Sequence, residues 1–257
     1  MIEVERLSLV YQPGGPLARP VLRDLSFTVK PGEIVGVIGP SGAGKSSLLR
    51  CLAGVLPPVS GRAEVRRKDG AVAAGAVGLV MQEAERQFFM DTIAGEVGFA
   101  LVNRGYAPDR IAARVAEVIR RVGYHGDPAG SPFQLSGGQQ RRIAIASILV
   151  FEPEVLLLDE PTVGLDAGGL GFIREVIAEY RRNRNPVLVA SHDLDFLYPV
   201  VDRFLVVAEG GLKADFPRAD FVHFQDLAGQ LGIGVPERVR LLSGGAPDYI
   251  KESLQAP

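Results

Sequence analysis

A glycine-rich octapeptide limits the folds open to this chain more than any other stretch. It reads Gly39-Pro40-Ser41-Gly42-Ala43-Gly44-Lys45-Ser46, with the short apolar run 34–38 before it and a helical pattern after it. Between a buried strand and a helix, such a loop turns successive backbone N–H groups toward an anion, and the helix N-terminus adds its positive dipole end. The pattern therefore predicts a phosphate-binding loop, with an ordinary glycine-rich turn as the alternative.

The residue types in the octapeptide indicate which ligand it holds. In loops of this spacing the lysine, here Lys45, reaches the β- and γ-phosphates of a nucleoside triphosphate, and the following hydroxyl, here Ser46, binds Mg²⁺. Tyr11 ends an alternating strand pattern and could either stack on a nucleobase or pack against the core. The predicted nucleotide-binding residues in this part of the chain are Tyr11, Gly39, Ser41, Gly42, Ala43, Gly44, Lys45, Ser46 and Ser47.

Composition excludes several classes of protein. The formal net charge of the 257 residues is −2, whereas general attraction to nucleic acid normally requires a strongly basic balance. One cysteine excludes an intramolecular disulfide and a cysteine-based metal site. The sequence contains no apolar run of the roughly 20 residues that a membrane-spanning helix needs, and residues 1–6 lack the apolar region of a secretory signal. If the protein acts at a membrane, we expect it to dock on another subunit.

Polar side chains follow two further buried strands. The apolar run 155–158 closes in Asp159-Glu160, and the run 186–190 is followed by His192. Ligands of α/β sheets bind at the carboxyl ends of parallel strands, so these residues are expected near the phosphate loop. Successive carboxylates point to different sides, which suits one for Mg²⁺ and the other for a water molecule; a solvated acidic turn is the alternative. His192 is either a ligand-contacting or a structural residue.

The segment Leu135-Ser136-Gly137-Gly138-Gln139 precedes another helical pattern, 140–151. Ser136 occupies a helix N-cap position and the glycines permit close approach to the backbone, so the segment is either a second anion site or a simple turn. Helical spacing over 92–103 and 108–122 interrupts the alternation of strands and helices and indicates a helical subdomain. Asp69-Gly70 predicts a hairpin turn between short antiparallel strands within 61–74.

Taken in order, these motifs resemble those of the ATP-binding cassette (ABC) family over residues 1–215. The resemblance implies binding of ATP and Mg²⁺, with Lys45 on phosphate and with Ser46, Gln82 and Asp159 around the metal. It also implies that Glu160 is the general base and that His192 contacts the γ-phosphate. Tyr11 matches the aromatic residue that stacks on adenine. Ser136, Gly138 and Gln139 would close over the nucleotide of a second ATPase subunit, with Asp166 at the same interface.

A finer resemblance lies in Gln82–Phe89 and in Thr92–Phe99, which are similar to the energy-coupling factor (ECF) branch of that family. In that branch this region receives a coupling helix of a transmembrane subunit, and a substrate-binding membrane subunit recognises a vitamin, cobalt or nickel. The segment 231–242 is similar to a dimerising tail. Ala167 departs from the proline that many relatives carry after the aspartate.

These observations predict an α/β, P-loop NTPase fold with a mixed central sheet, an antiparallel β subdomain, a helical subdomain and a short C-terminal helical extension. The expected division is a cassette over 1–215, with the helical subdomain at about 83–150, and an extension over 216–257. The expected function is ATP hydrolysis for an importer, as a homo- or heterodimer peripheral to the cytoplasmic membrane face, without nucleic acid. The alternatives are an ATPase of a conventional ABC transporter and a soluble cassette ATPase acting on DNA or ribosomes.

Overall fold

The computed structural model describes residues 1–66 and 75–243, which form two sheets and the helices around them. The strands are β1 (Ile2–Tyr11), β2 (Arg19–Val29), β3 (Ile34–Ile38), β4 (Ser60–Val65), β5 (Val77–Val80), β6 (Val155–Asp159), β7 (Val187–Ala190), β8 (Arg203–Ala208) and β9 (Gly211–Pro217). The helices are α1 (Lys45–Leu52), α2 (Ile93–Asn103), α3 (Pro108–Arg121), α4 (Gly137–Leu149), α5 (Ala167–Arg182), α6 (Leu194–Val200), α7 (Gln225–Gln230) and α8 (Glu237–Ser243).

The central sheet is mixed, as the sequence predicts. Its six strands lie in the order β5-β6-β7-β3-β8-β9, and all neighbours are parallel except β8 and β9. Successive residues of β3 and β6 belong to different apolar cores, one on each face of the sheet. This two-sided burial explains why both strands are uninterrupted apolar runs. Because β3, β6 and β7 are parallel, their carboxyl ends lie at the same edge of the sheet.

The second sheet has three antiparallel strands in the order β2-β1-β4. The strand β4 pairs with the distant β1 from Ile2↔Val65 to Ser8↔Ser60, and the rest of the predicted hairpin within 61–74 stays a prediction. Asp69 and Gly70 lie outside the described residues. The strand β2 begins at Arg19, where Tyr11↔Arg19 closes the β1–β2 pairing.

Helices α2, α3 and α4 pack together between β5 and β6 in the chain, where a helical subdomain is predicted. Thr92 caps α2 by accepting a hydrogen bond from the Gly95 N–H at 3.0 Å, and Pro108 is the first residue of α3. The helix α4 begins at Gly137, three residues earlier than its apolar spacing suggested, because Ser136 and Gln139 form a capping box.

The described part of the C-terminal segment packs on the main core. It comprises a 3₁₀ turn, Arg218–Phe224, followed by α7 and α8. Phe221 is fully buried and meets Phe204 edge-to-face at a ring distance of 5.0 Å, and Val239 is also buried. In residues 1–66 and 75–243, none of the helices has the length and apolar content to cross a membrane.

Candidate nucleotide site

The octapeptide forms a loop between β3 and α1 whose shape requires glycine. Gly39 has φ 155°, and a Cβ on it would lie 1.9 Å from the Val207 carbonyl oxygen. Gly44 has φ 102°, and a Cβ there would lie 2.8 Å from a methyl carbon of Leu22. Because α1 begins at Lys45, its free N–H groups face the loop. The backbone thus presents the anion-binding surface that the sequence predicts.

Lys45 lies over this loop. Its Nζ donates hydrogen bonds to the carbonyl oxygens of Gly39, at 2.7 Å, and Pro40, at 3.1 Å. Burial lowers the pKa of Lys45, while the negative charges of Glu160 and Asp159 oppose that shift. A bound phosphate would bring a further negative charge close to Lys45 and so favour the charged form of its amino group. The loop therefore holds a cation whose charge is incompletely compensated in the protein alone.

Asp159 lies beneath the loop at the end of β6 and is only 3% exposed. It accepts a hydrogen bond from Ser46, and burial raises the pKa of its carboxyl group. Among the residues that the structure describes, its buried Oδ1 has no hydrogen-bond partner. Gln82 lines the same cleft. A hydroxyl, an unpartnered carboxylate oxygen and an amide oxygen form the type of oxygen donor set that Mg²⁺ prefers, so these residues fit the metal.

Glu160 turns away from Asp159, as the sequence predicts for successive carboxylates. Its φ of 47° lies in the left-handed region, which is uncommon outside glycine and frequent at functional sites. Its Oε2 meets the His192 Nδ1 at 2.8 Å and accepts hydrogen bonds from the Ser191 hydroxyl at 3.0 Å and the His192 N–H at 3.3 Å. Sequence reasoning assigned no role to Ser191, although its position at the end of β7 beside His192 was a signal.

These residues surround one cleft of about 750 Å³. Tyr11 lies at its wall, where its hydroxyl is 3.0 Å from the Ser47 Oγ. The predicted residues that line the cleft are Tyr11, Ser41, Gly42, Ala43, Gly44, Lys45, Ser46, Ser47, Gln82, Glu160 and His192. Arg19, Arg23 and Glu209 also line the cleft. No local pattern predicts this, because the pairing of β1 with β2 and of β8 with β9 brings these residues there.

Ser136, Gly138 and Gln139 do not line this cleft. They line a separate cavity of about 330 Å³ together with Asp166. The Gln139 Oε1 accepts the Ser136 N–H at 3.1 Å, and Asp166 caps α5 by accepting the Gly169 N–H at 2.7 Å. That N–H and, to a smaller degree, Arg142 lower the pKa of Asp166. One chain therefore carries two surfaces that its own fold keeps apart.

A phosphate loop between a parallel strand and a helix, with a carboxylate pair at the end of another parallel strand of the same sheet, defines a P-loop nucleotide-hydrolysing protein. The family model for the ABC transporter matches residues 22–163, and this chain belongs to that family. EcfA2 of Symbiobacterium thermophilum, an energy-coupling factor transporter ATP-binding protein, is 39% identical over 93% of this chain and 86% of its own length. EcfA of Methanothermobacter thermautotrophicus, with the same description, is 34% identical over 95% and 79%.

Solved structures agree with this assignment. CbiO1 of Clostridium perfringens, described as part of the ABC transporter complex CbiONQ, has a TM-score of 0.72 at 28% identity, covering 94% of this chain and 98% of that chain. A dimeric ATP-binding cassette bound to ADP and Pi has a TM-score of 0.72 at 24% identity over 85% and 99%, a likeness of fold. The predicted α/β P-loop fold, ATPase class and energy-coupling factor branch are confirmed.

Proposed function

We propose that this chain hydrolyses MgATP in a site that a second ATPase subunit completes, and that it thereby drives an energy-coupling factor importer. The observation that carries the composite site is the separation of the two cavities. Lys45, Ser46 and Glu160 line the first cavity, whereas Ser136 and Gly138 line the second, which shares no lining residue with the first. Glycine N–H groups and a helix N-terminus suit a γ-phosphate, and in this chain they line a cavity other than its own nucleotide cleft.

Within the cleft, each residue's surroundings support a distinct role. Lys45 and the N–H groups of the octapeptide hold the phosphates, and Tyr11 stacks on adenine. Ser46, Asp159 and Gln82 hold Mg²⁺, which when bound neutralises charge on the phosphate oxygens. The remaining residues assigned to nucleotide binding are Gly39, Ser41, Gly42, Ala43, Gly44, Ser47 and, toward the partner's nucleotide, Ser136, Gly138 and Gln139.

The geometry of Glu160 supports its role as general base. The three donors from Ser191 and His192 all meet Oε2, and the side chain lines the cleft. Oε1 is the oxygen placed to accept a proton from an attacking water. In its charged form His192 has an N–H on each ring nitrogen, so Nδ1 can donate to Glu160 while Nε2 donates to the γ-phosphate.

An exposed apolar surface supports docking to membrane subunits. Phe89 is 58% and Phe99 37% exposed, yet their rings meet edge-to-face at 4.6 Å. Val102 lies one turn further along α2, and Phe133 meets Phe88 at 6.4 Å. Exposed aromatic clusters of this kind are typical of protein interfaces. We assign this surface to a transmembrane coupling subunit, which works with a substrate-binding membrane subunit for a vitamin or transition-metal ion.

The peripheral position at the cytoplasmic membrane face follows from that docking and from the names of the relatives, which are transporter ATP-binding proteins. A conventional ABC transporter ATPase is the second candidate, since its nucleotide chemistry is the same. It differs in the membrane partner, so co-purification from native membranes separates the two.

Subunit complementation tests the composite site. Lys45→Ala disables the phosphate loop and Ser136→Arg blocks the other surface, so each variant alone should be inactive. In a mixture, half of randomly formed dimers carry one intact site of two, which predicts recovery of about a quarter of wild-type activity for a symmetric pair. Hydrolysis assays of separately purified and co-refolded variants measure this.

Three other results have distinct meanings. Full activity of Ser136→Arg alone contradicts a composite site. Inactivity of the mixture beside an active wild-type chain contradicts complementation between two copies of this chain. Inactivity of the wild-type chain alone, with hydrolysis restored by a different ATPase subunit, favours a heterodimer.

A further inference from the structure

Arg141 connects the helix α4 to the nucleotide cleft. The residue is 3% exposed, and its guanidinium lies between the chain segments that follow β5 and β6. One terminal nitrogen donates to the carbonyl oxygens of Met81 and Gln82, both at 2.7 Å. The other donates to the carbonyl oxygen of Glu160 at 3.1 Å and lies 3.5 Å from that of Asp159. A single side chain therefore joins the backbones of Gln82 and Glu160.

The residue type suits this geometry. Burying a positive charge is unfavourable unless hydrogen bonds compensate for the lost water. The planar guanidinium has five donors in a fixed fork, so it can join two segments at once, whereas the ammonium of a lysine concentrates its donors at one point. Loss of Arg141 would free the carbonyl groups on both sides of the cleft to move independently.

The helix α4 carries Arg141 at its fifth position and Ser136 as its N-cap. Gly138 precedes Arg141 by three residues, a rise of about 4.5 Å along the helix axis. A displacement of the first turn therefore displaces the guanidinium as well, because a helix of this length moves as a unit. The same helix thus contacts both surfaces that the composite site requires.

We propose that Arg141 is a positioning residue, which holds the metal ligand Gln82 and the base Glu160 in register with α4. The geometry of a chain's own site then depends on where α4 sits, and α4 is the element that meets the partner's nucleotide. This inference rests on the proposed function. It adds a mechanical connection between the two sites of a dimer, through backbone carbonyls rather than through substrate contacts.

The test compares Arg141→Lys and Arg141→Gln in a Glu160→Gln background, where turnover is blocked. Binding of Mn²⁺ in the presence of ATP, followed by electron paramagnetic resonance, reports the metal site directly. We expect the Mn²⁺ dissociation constant to rise about 10-fold or more, because loss of the hydrogen bonds from a charged donor releases the backbone that positions Gln82. ATP affinity without metal should stay within about twofold, since Arg141 does not line the cleft.

Arg114→Gln is the matched control. Arg114 is less buried than Arg141 but likewise donates to a backbone carbonyl, that of Val150 at 3.2 Å. It lies on α3 and pairs with Glu117 and Glu152. Its loss should lower the melting temperature and leave Mn²⁺ binding unchanged. A further measurement in the otherwise wild-type chain should show kcat reduced more than 10-fold by either Arg141 variant.

The outcomes separate the two proposals. Unchanged Mn²⁺ affinity in folded Arg141 variants overturns the inference, as does a loss of folding in both variants, which would show a purely structural role. If only Arg141→Gln fails to fold, Arg141→Lys decides the matter. If the Glu160→Gln parent itself binds no ATP, the proposed function fails, and this is known before any Arg141 variant is measured.

Discussion

The hydroxyl of Ser191 should set the activity of Glu160, and its removal gives the sharpest test of the catalytic geometry. Ser191 is fully buried, and its Oγ donates to the Glu160 Oε2 at 3.0 Å while accepting the Asp193 N–H at 3.1 Å. Two contacts from His192 remain in Ser191→Ala, at 2.8 and 3.3 Å. In this variant the Glu160 carboxylate would keep its contacts with His192 but lose the hydroxyl of Ser191, which is the fully buried donor.

The magnitude follows from the type of hydrogen bond. A bond to a charged acceptor contributes about 1.5–3 kcal/mol, which corresponds to about 10- to 150-fold in rate if all of it acts in the transition state. Because His192 still holds the same oxygen, we expect the lower end, a decrease in kcat of about 10-fold. KM for ATP should change less than about twofold, since Ser191 does not line the cleft.

Steady-state hydrolysis of ATP at saturating Mg²⁺ measures both constants. Ser147→Ala is the control, because its hydroxyl donates to the Ile143 carbonyl at 3.1 Å within α4 and lies outside the cleft. A double-mutant cycle with Glu160→Gln then asks whether the effect passes through the base. Unchanged kcat in Ser191→Ala would refute the reasoning. So would an equal 10-fold decrease in the Glu160→Gln background, because the hydroxyl would then act without Glu160.

Three further predictions concern the same cleft. Glu160→Gln should lower kcat by about 10²–10⁴-fold and trap an ATP-bound dimer in size-exclusion chromatography, whereas undiminished hydrolysis removes Glu160 as the base. Tyr11→Ala should weaken ATP binding by about 1–3 kcal/mol in calorimetry. Tyr11→Phe keeps the ring and loses only the contact with Ser47, so it should bind ATP nearly as the wild type does. Equal losses of affinity in the two variants would contradict stacking. Asp159→Asn should raise the melting temperature of the nucleotide-free chain at pH 7, because burial raises the pKa of Asp159 and ionisation therefore disfavours folding. That penalty is absent below the unfolded pKa of about 3.9 and grows as pH rises through the folded value, so the difference between the proteins should shrink toward pH 4; a constant difference argues against this cause.

Much of the fold could be predicted from periodicity and turn chemistry. The runs 155–158 and 186–190 predict strands because branched apolar residues suit two-sided burial. Thr92 marks the start of α2 because its side chain accepts a hydrogen bond from a terminal N–H. Pro108 marks the start of α3 because it has no N–H that needs a partner. The pairing of β4 with β1 could not be predicted from the local pattern, because turn propensity within 61–74 says nothing about a partner distant in sequence. Pairing partners are decided by register and burial across the whole sheet.

The site divides in the same way. The sequence by itself determined the phosphate loop, the carboxylate pair at the end of β6 and the identity of the family, because each depends on residue types at fixed spacing along the chain. Only the tertiary structure decided that Ser191 and His192 share one oxygen of Glu160. It also decided that Arg141 donates to backbone carbonyls beside two strand ends and that Ser136 and Lys45 line different cavities. Such relations join residues far apart in sequence, and they depend on sheet order and side-chain direction rather than on local pattern.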